Sequence, residues 1–71
     1  MSRNPDAVIG IVIEERPNKL FLFRLDDGRE LLGYLSGKFK QHNIRVLIGD
    51  KVEVILDPYG GKGTNRIVWR V

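Results

Sequence analysis

The feature that most constrains this chain is the strict alternation of residues 19–25. Phe21, Phe23 and Leu25 fall on one side, and Leu20, Leu22 and Arg24 on the other. A period of two places successive side chains on opposite faces of a pleated strand, so one face of this segment is apolar and must be covered. Asp26-Asp27-Gly28 follows at once and reads as a hairpin connection, in which glycine supplies the positive φ the turn needs. Arg29 to Leu35 returns as a partner strand. Adjacent carboxylates before a glycine make turns far more often than acid–base pairs, so Asp26 and Asp27 are read as turn residues.

The rest of the chain repeats this style. Ala7 to Glu15 is mostly β-branched around Gly10, which predicts a strand with a bulge or bend at the glycine. Arg16-Pro17-Asn18 is a turn, Ser36 is placed to cap a helical turn through Phe39–Gln41, and residues 47–50 form another turn. Lys51 to Asp57 alternates Val52, Val54 and Leu56 inward against Lys51, Glu53, Ile55 and Asp57 outward. Residues 58–65 are a glycine-rich loop, and Arg66 to Arg70 is the last strand. Phe21, Phe23, Val52, Val54, Leu56 and Ile67 are the expected interior, and Leu22, Arg24 and Lys51 the expected exterior. Trp69 shares parity with Ile67 and is expected in the core. Arg66 and Arg70 share parity and are expected on one face.

No segment carries a helical period long enough to stand alone. The fold class is therefore all-β. Five short strands with a brief helical turn between the third and fourth match the five-stranded Greek-key OB barrel, with Gly10 and Gly33 serving its curvature. A five-stranded SH3-like barrel is the competing architecture.

Seventy-one residues make one domain that buries about 60% of its unfolded surface. Residues 1–6 are expected to be a flexible tail and 7–71 the domain. With no Cys, disulfides and thiolate chemistry are excluded, and with His42 as the lone histidine a histidine-based metal site is not expected. No apolar run approaches the roughly 20 residues of a membrane span, and the polar start lacks the core of a signal peptide. A soluble, unexported protein is expected.

The formal net charge of +3 matters less than its placement. Lys38, Lys40 and Arg45 lie in a stretch without acids, while Asp26, Asp27, Asp50 and Asp57 sit at turns. Such a segment suits a polyanion, with nucleic acid ahead of membrane. Gly60-Gly61-Lys62-Gly63-Thr64 lacks the spacing of a nucleotide-binding P-loop and any helix behind it. Nothing in the chain reads as catalytic, and no cofactor is expected.

Tyr34-Leu35-Ser36-Gly37-Lys38-Phe39-Lys40-Gln41-His42-Asn43-Ile44-Arg45-Val46, continued by Leu47-Ile48-Gly49-Asp50-Lys51-Val52, resembles the signature of bacterial-type translation initiation factor one, H-I-S-G-K-M-R-K-N/H-Y-I-R-I and L-x-G-D-x-V. Gly10-Ile11-Val12-Ile13-Glu14, Pro17-Asn18 with Phe21, Leu25-Asp26-Asp27-Gly28, Pro58-Tyr59 and Arg66-Ile67-Val68 are similar to further family motifs in the same order. The chain departs from them at Leu22, where many members have Arg, at Tyr34 (His), at Asn43 (Tyr), and in a slightly longer loop at 60–65.

The resemblance implies an S1-type RNA-binding barrel that occupies the A site of the small ribosomal subunit, beside the decoding centre of 16S rRNA and near a ribosomal protein. It implies action with initiation factors two and three, exclusion of elongator tRNA and modulation of subunit joining, by a monomeric cytoplasmic protein (the plastid stroma for a plastid member). The residues expected to contact rRNA are Lys38, Lys40, His42, Arg45, Tyr59, Lys62, Arg66 and Arg70. Tyr59 reads equally as a base-stacking ring or a lid on the barrel end. Arg at position 22 and Tyr at position 43 would be expected to return two RNA contacts.

The alternatives are a general single-strand RNA-binding or RNA-chaperone barrel and a protein-binding SH3-like module. The first lacks the aromatic-rich stacking run, and the second lacks an exposed aromatic cluster.

Overall fold

The computed structural model describes residues 7–59 and 64–71. The expected tail at 1–6, and Lys62 with its glycine neighbours at 60–63, lie outside these. The strands are β1 (Val8–Arg16), β2 (Leu20–Leu25), β3 (Glu30–Leu35), β4 (Lys51–Ile55) and β5 (Asn65–Arg70). A 3-10 turn spans Pro17–Lys19, and α1 (Gly37–Gln41) sits between β3 and β4. The strands close in the order β1-β2-β3-β5-β4. All neighbours are antiparallel except β3 and β5, which run parallel. This is the OB barrel expected from the pattern, with the helical insert in the expected connection.

β2 follows its alternation. Phe21, Phe23 and Leu25 are buried and Arg24 is exposed. The hairpin after it is a three-residue loop: Gly28 N donates to Leu25 O at 2.9 Å, Leu25 N donates to Arg29 O at 2.9 Å, and Gly28 has φ 90°. Val12, Phe39, Val46, Val52, Val54 and Ile67 complete the core, with Leu31, Leu35 and Ile44 packed at its margin.

Several expectations change. Gly10 carries no bulge; the β1–β2 register shifts between Val12 and Glu14. Gly10 instead gives room to a ring, since a Cβ there would lie 2.9 Å from Phe23 Cδ2. A second register shift falls between Glu53 and Val54 of β4, where the pairing steps from Trp69 to Ile67 and passes over Val68. That extra residue in β5 breaks the parity of the strand. Trp69 consequently lies opposite Glu53, half-buried and outside the core, and Arg66 and Arg70 no longer share a face.

Glu53, expected in solvent, is 2% exposed. Leu22 is half-buried because it faces Leu32 across the sheet. Leu56 is only partly buried, since β4 ends at Ile55. Lys19 belongs to the turn, with φ 62°, and not to β2.

Asn65, expected in the loop, opens β5 and is buried. Its Nδ2 donates to Leu32 O at 2.8 Å, and its Oδ1 accepts from Asp57 N at 2.8 Å. One side chain thereby ties β3, the exit of β4 and the start of β5 together.

Candidate nucleic-acid interface

The site grows from the way α1 is anchored. Phe39 is buried in the barrel mouth, and Ile44 N donates back to Phe39 O at 2.8 Å. His42 N still makes the helical bond to Lys38 O at 3.0 Å, and the helix stops at Asn43, which turns left-handed at φ 54°, a conformation asparagine tolerates better than most residues. With Phe39 pinned inward, its neighbours Lys38 and Lys40 stand exposed on either side. Ser36 occupies the position before the helix, as expected, but its hydroxyl makes no capping bond. Ser36 Oγ is buried without a partner among the described residues, and the backbone Ser36 O accepts from Phe39 N at 3.1 Å.

Two depressions flank the Ser36–Gly37 step. One, of about 420 Å³, is lined by Lys38, Gln41 and Arg66 together with Ile55 and Val68 of the outer β4–β5 surface. The other, of about 520 Å³, is more apolar and brings Lys40 together with Lys19, Tyr34 and Phe21. Tyr34 and Arg66 are partners across the parallel β3–β5 pair, so the two depressions adjoin at that rung.

Of the residues expected to bind RNA, Lys38 and Arg66 thus share one depression and Lys40 lines the next. Arg45 is exposed in the following segment. Arg70 acts partly as a tether: its Nη1 donates to Arg45 O at 3.2 Å and lies 3.9 Å from Asp50 Oδ2. His42 is exposed just past α1. Tyr59 is 93% exposed, which removes the lid reading and leaves its ring open to a partner. Asp57 organises this end, accepting from Tyr59 N at 2.9 Å and from the Thr64 hydroxyl. Lys62 is outside the described residues.

Sequence reasoning missed Gln41 and Lys19. Gln41 was findable, since it lies three residues after Lys38 on the same helical face. Lys19 was not, because after Asn18, whose left-handed turn its residue type allows, Lys19 itself is also left-handed at φ 62°, which nothing about a lysine announces.

Charge divides the surface. Arg16–Glu14 on β1 (2.9 Å), Arg24–Glu30 across β2 and β3 (2.8 Å) and Arg29–Asp27 in the hairpin between them (2.8 Å) neutralise one another. Asp27 also accepts from Arg29 N at 3.0 Å, and this backbone bond, with the guanidinium beside it, holds its carboxyl below the ordinary value. Among the described residues, Lys38, Lys40, Arg45 and Arg66 have no carboxylate partner. No acid occurs from residue 31 to residue 49. Among the described residues no group of three His, Cys, Asp or Glu side chains could hold a metal ion, and no helix is long and apolar enough to cross a membrane.

The family model for translation initiation factor 1A / IF-1 matches residues 1–71. The chain belongs to that family. In solved structures it is similar to translation initiation factor one from the Wolbachia endosymbiont strain TRS of Brugia malayi, with 31% identity and a TM-score of 0.72 over 99% of this chain and 84% of that one. It is also similar to YjeQ from Thermotoga maritima, with 27% identity and a TM-score of 0.78 over 92% of this chain. The chain spans only 22% of the YjeQ chain, so that likeness concerns one part of a larger protein. Membership of the initiation factor family agrees with the class and barrel expected from the sequence, and that family is not one of enzymes.

Proposed function

We propose that the protein binds the small ribosomal subunit at the A site near the decoding centre, as a cytoplasmic translation initiation factor that acts with initiation factors two and three. It touches 16S rRNA through the surface built on α1, residues 42–45 and the outer face of β5. The observation that carries this reading is the division of charge: among the described residues, Arg16 on β1, Arg24 on β2 and Arg29 in the hairpin after it are matched by carboxylates, whereas Lys38, Lys40, Arg45 and Arg66 are left without one. Unmatched cations around concave depressions suit a phosphate backbone, with Lys supplying point charge and Arg a two-bond grip. Tyr34 and Tyr59 add ring faces on which an unpaired base can stack.

Co-sedimentation with purified small subunits, with and without initiation factors two and three, tests the reading. One protein bound per subunit, more tightly with both factors present, is expected. Equal binding to any single-stranded RNA would favour a general RNA-binding barrel instead.

A further inference from the structure

The most solvent-open aliphatic side chains among the described residues gather at one corner. Leu47 is 58% and Ile48 68% exposed, and Ile11 and Val71 are also open. Ile11 is the cross-strand partner of Lys51, and Val71 N donates to Lys51 O at 2.9 Å. Singly scattered apolar residues on a surface need no explanation, but a cluster does.

The corner is also held rigid. Gly49 N donates to Val12 O at 2.7 Å, and Val12 N donates to Asp50 O at 2.9 Å, fixing the turn to β1. Within the turn, Asp50 N donates to Leu47 O at 3.0 Å and Asp50 Oδ2 accepts from Leu47 N at 2.9 Å. Gly49 supplies the φ of 97° that this loop requires. A pre-set turn loses little conformational freedom when a partner covers it.

From this geometry we infer that the 47–48 turn, with Ile11, is a docking point for a protein of the initiation machinery that presents an apolar side chain flanked by carboxylates. The inference rests on the proposed function and adds a second, protein-facing contact to it. Aliphatic side chains offer a base no flat ring or guanidinium on which to stack, so RNA has little use for this corner. Its rim carries Arg45, Lys51 and Arg70, and the acids beside it are already engaged: Asp50 accepts from the Leu47 amide with Arg70 3.9 Å away, and Glu30 is held by Arg24, the β2 partner of Ile11. Charge complementarity therefore selects an acidic rim on the partner.

The chain has no Cys, so Ile48→Cys gives a single attachment point for a photo-crosslinker. The labelled protein is irradiated on purified small subunits carrying initiation factors two and three. An adduct to a protein segment that carries both acidic and apolar residues is expected. Adducts to rRNA or to a second copy, or none while the protein still sediments, would overturn the inference. In parallel, Leu47→Ser with Ile48→Ser should weaken subunit binding about tenfold, with the salt slope and binding to protein-free 16S rRNA unchanged. Parent-like affinity, or a changed salt slope, would count against it. If the parent itself fails to sediment, the proposed function falls and this inference with it.

Discussion

Gly33 leaves the space that the ring of Phe23 fills. A Cβ on Gly33 would stand 2.9 Å from Phe23 Cε1 and 2.7 Å from Asn65 O, and Gly10 guards the other side of the same ring at 2.9 Å from Cδ2. Because one of these neighbours is backbone, it cannot simply rotate away. Gly33→Ala should therefore destabilise the protein by about 1–3 kcal/mol through overpacking. Gly37, in α1 with nothing within 4 Å of its would-be Cβ, is the control: Gly37→Ala should raise stability by about 0.4–1 kcal/mol. Urea melts of both variants check the pair, and equal midpoints would remove the close-packing argument.

Asn65 carries a second prediction. Asn65→Ala leaves Leu32 O and Asp57 N without their partner, and a buried polar group left unpaired costs about 1–3 kcal/mol. Asn65→Asp should be no better, because a carboxylate cannot donate to Leu32 O. Denaturant midpoints below the parent for both variants are expected; a parent-like Asn65→Asp would show that the bond to Leu32 contributes nothing.

These two residues also show what the sequence could and could not reveal. The alternation of β2 was legible because one face is apolar without interruption, and Asp26-Asp27-Gly28 announced its own turn. The two register shifts were not legible: the residues passed over, Ile13 in β1 and Val68 in β5, are ordinary strand residues, and nothing in their type marks them as unpaired. The shift in β5 moved Trp69 out of the core and separated Arg66 from Arg70. Asn65 was hidden for a related reason, since its partners lie 8 and 33 residues away and the sequence just before it is rich in glycine. Within the site, Lys38 and Lys40 were legible from local charge. The joining of Lys38 to Arg66 required knowing that β3 and β5 run side by side.

The charge division predicts how binding responds to salt. Each phosphate neutralised contributes roughly −0.7 to −0.9 to the slope of log K against log salt. Lys38→Ala, Arg45→Ala and Arg66→Ala should each flatten that slope by about 1 or less and weaken subunit binding. Arg24→Ala, whose guanidinium already holds Glu30, should leave the slope unchanged. Sedimentation across a salt series separates the two groups, and a flattened slope for Arg24→Ala would refute the division.

Acid should act on the hairpin through Asp27. Its folded pKa lies below the ordinary carboxylate value, chiefly because Arg29 N donates to it. A depressed carboxyl contributes stability that is present above the unfolded pKa and is lost as pH falls through the folded one. Asp27→Asn should therefore show a shallower loss of stability below about pH 4 than the parent. Thermal melts over an acid series test this, and superimposable pH profiles would dismiss the contribution.

Leu22 gives the last prediction, because its surroundings reverse what its position in the sequence implied. The residue is half-buried, faces Leu32 on β3 and lies opposite Glu14 on β1. Arg16 already pairs with Glu14, and Arg24 pairs with Glu30 two rungs along on the same strand pair. In Leu22→Arg the new guanidinium would find Glu14 before it found a phosphate, on the surface where the cations are already matched by carboxylates. Its gain for RNA should be small, within about twofold in subunit affinity, since exposed ion pairs are worth about 0–1 kcal/mol. The loss of apolar cover on Leu32 should lower the melting temperature slightly. Asn43→Tyr should cost more, about 1–2 kcal/mol, because φ 54° suits asparagine and crowds a larger side chain. Titration of Leu22→Arg against small subunits beside the parent decides the first point. Binding tightened tenfold would mean that the outer surface of β2 lies against RNA, and the assignment of the RNA-facing surface to α1 and β5 would have to be redrawn.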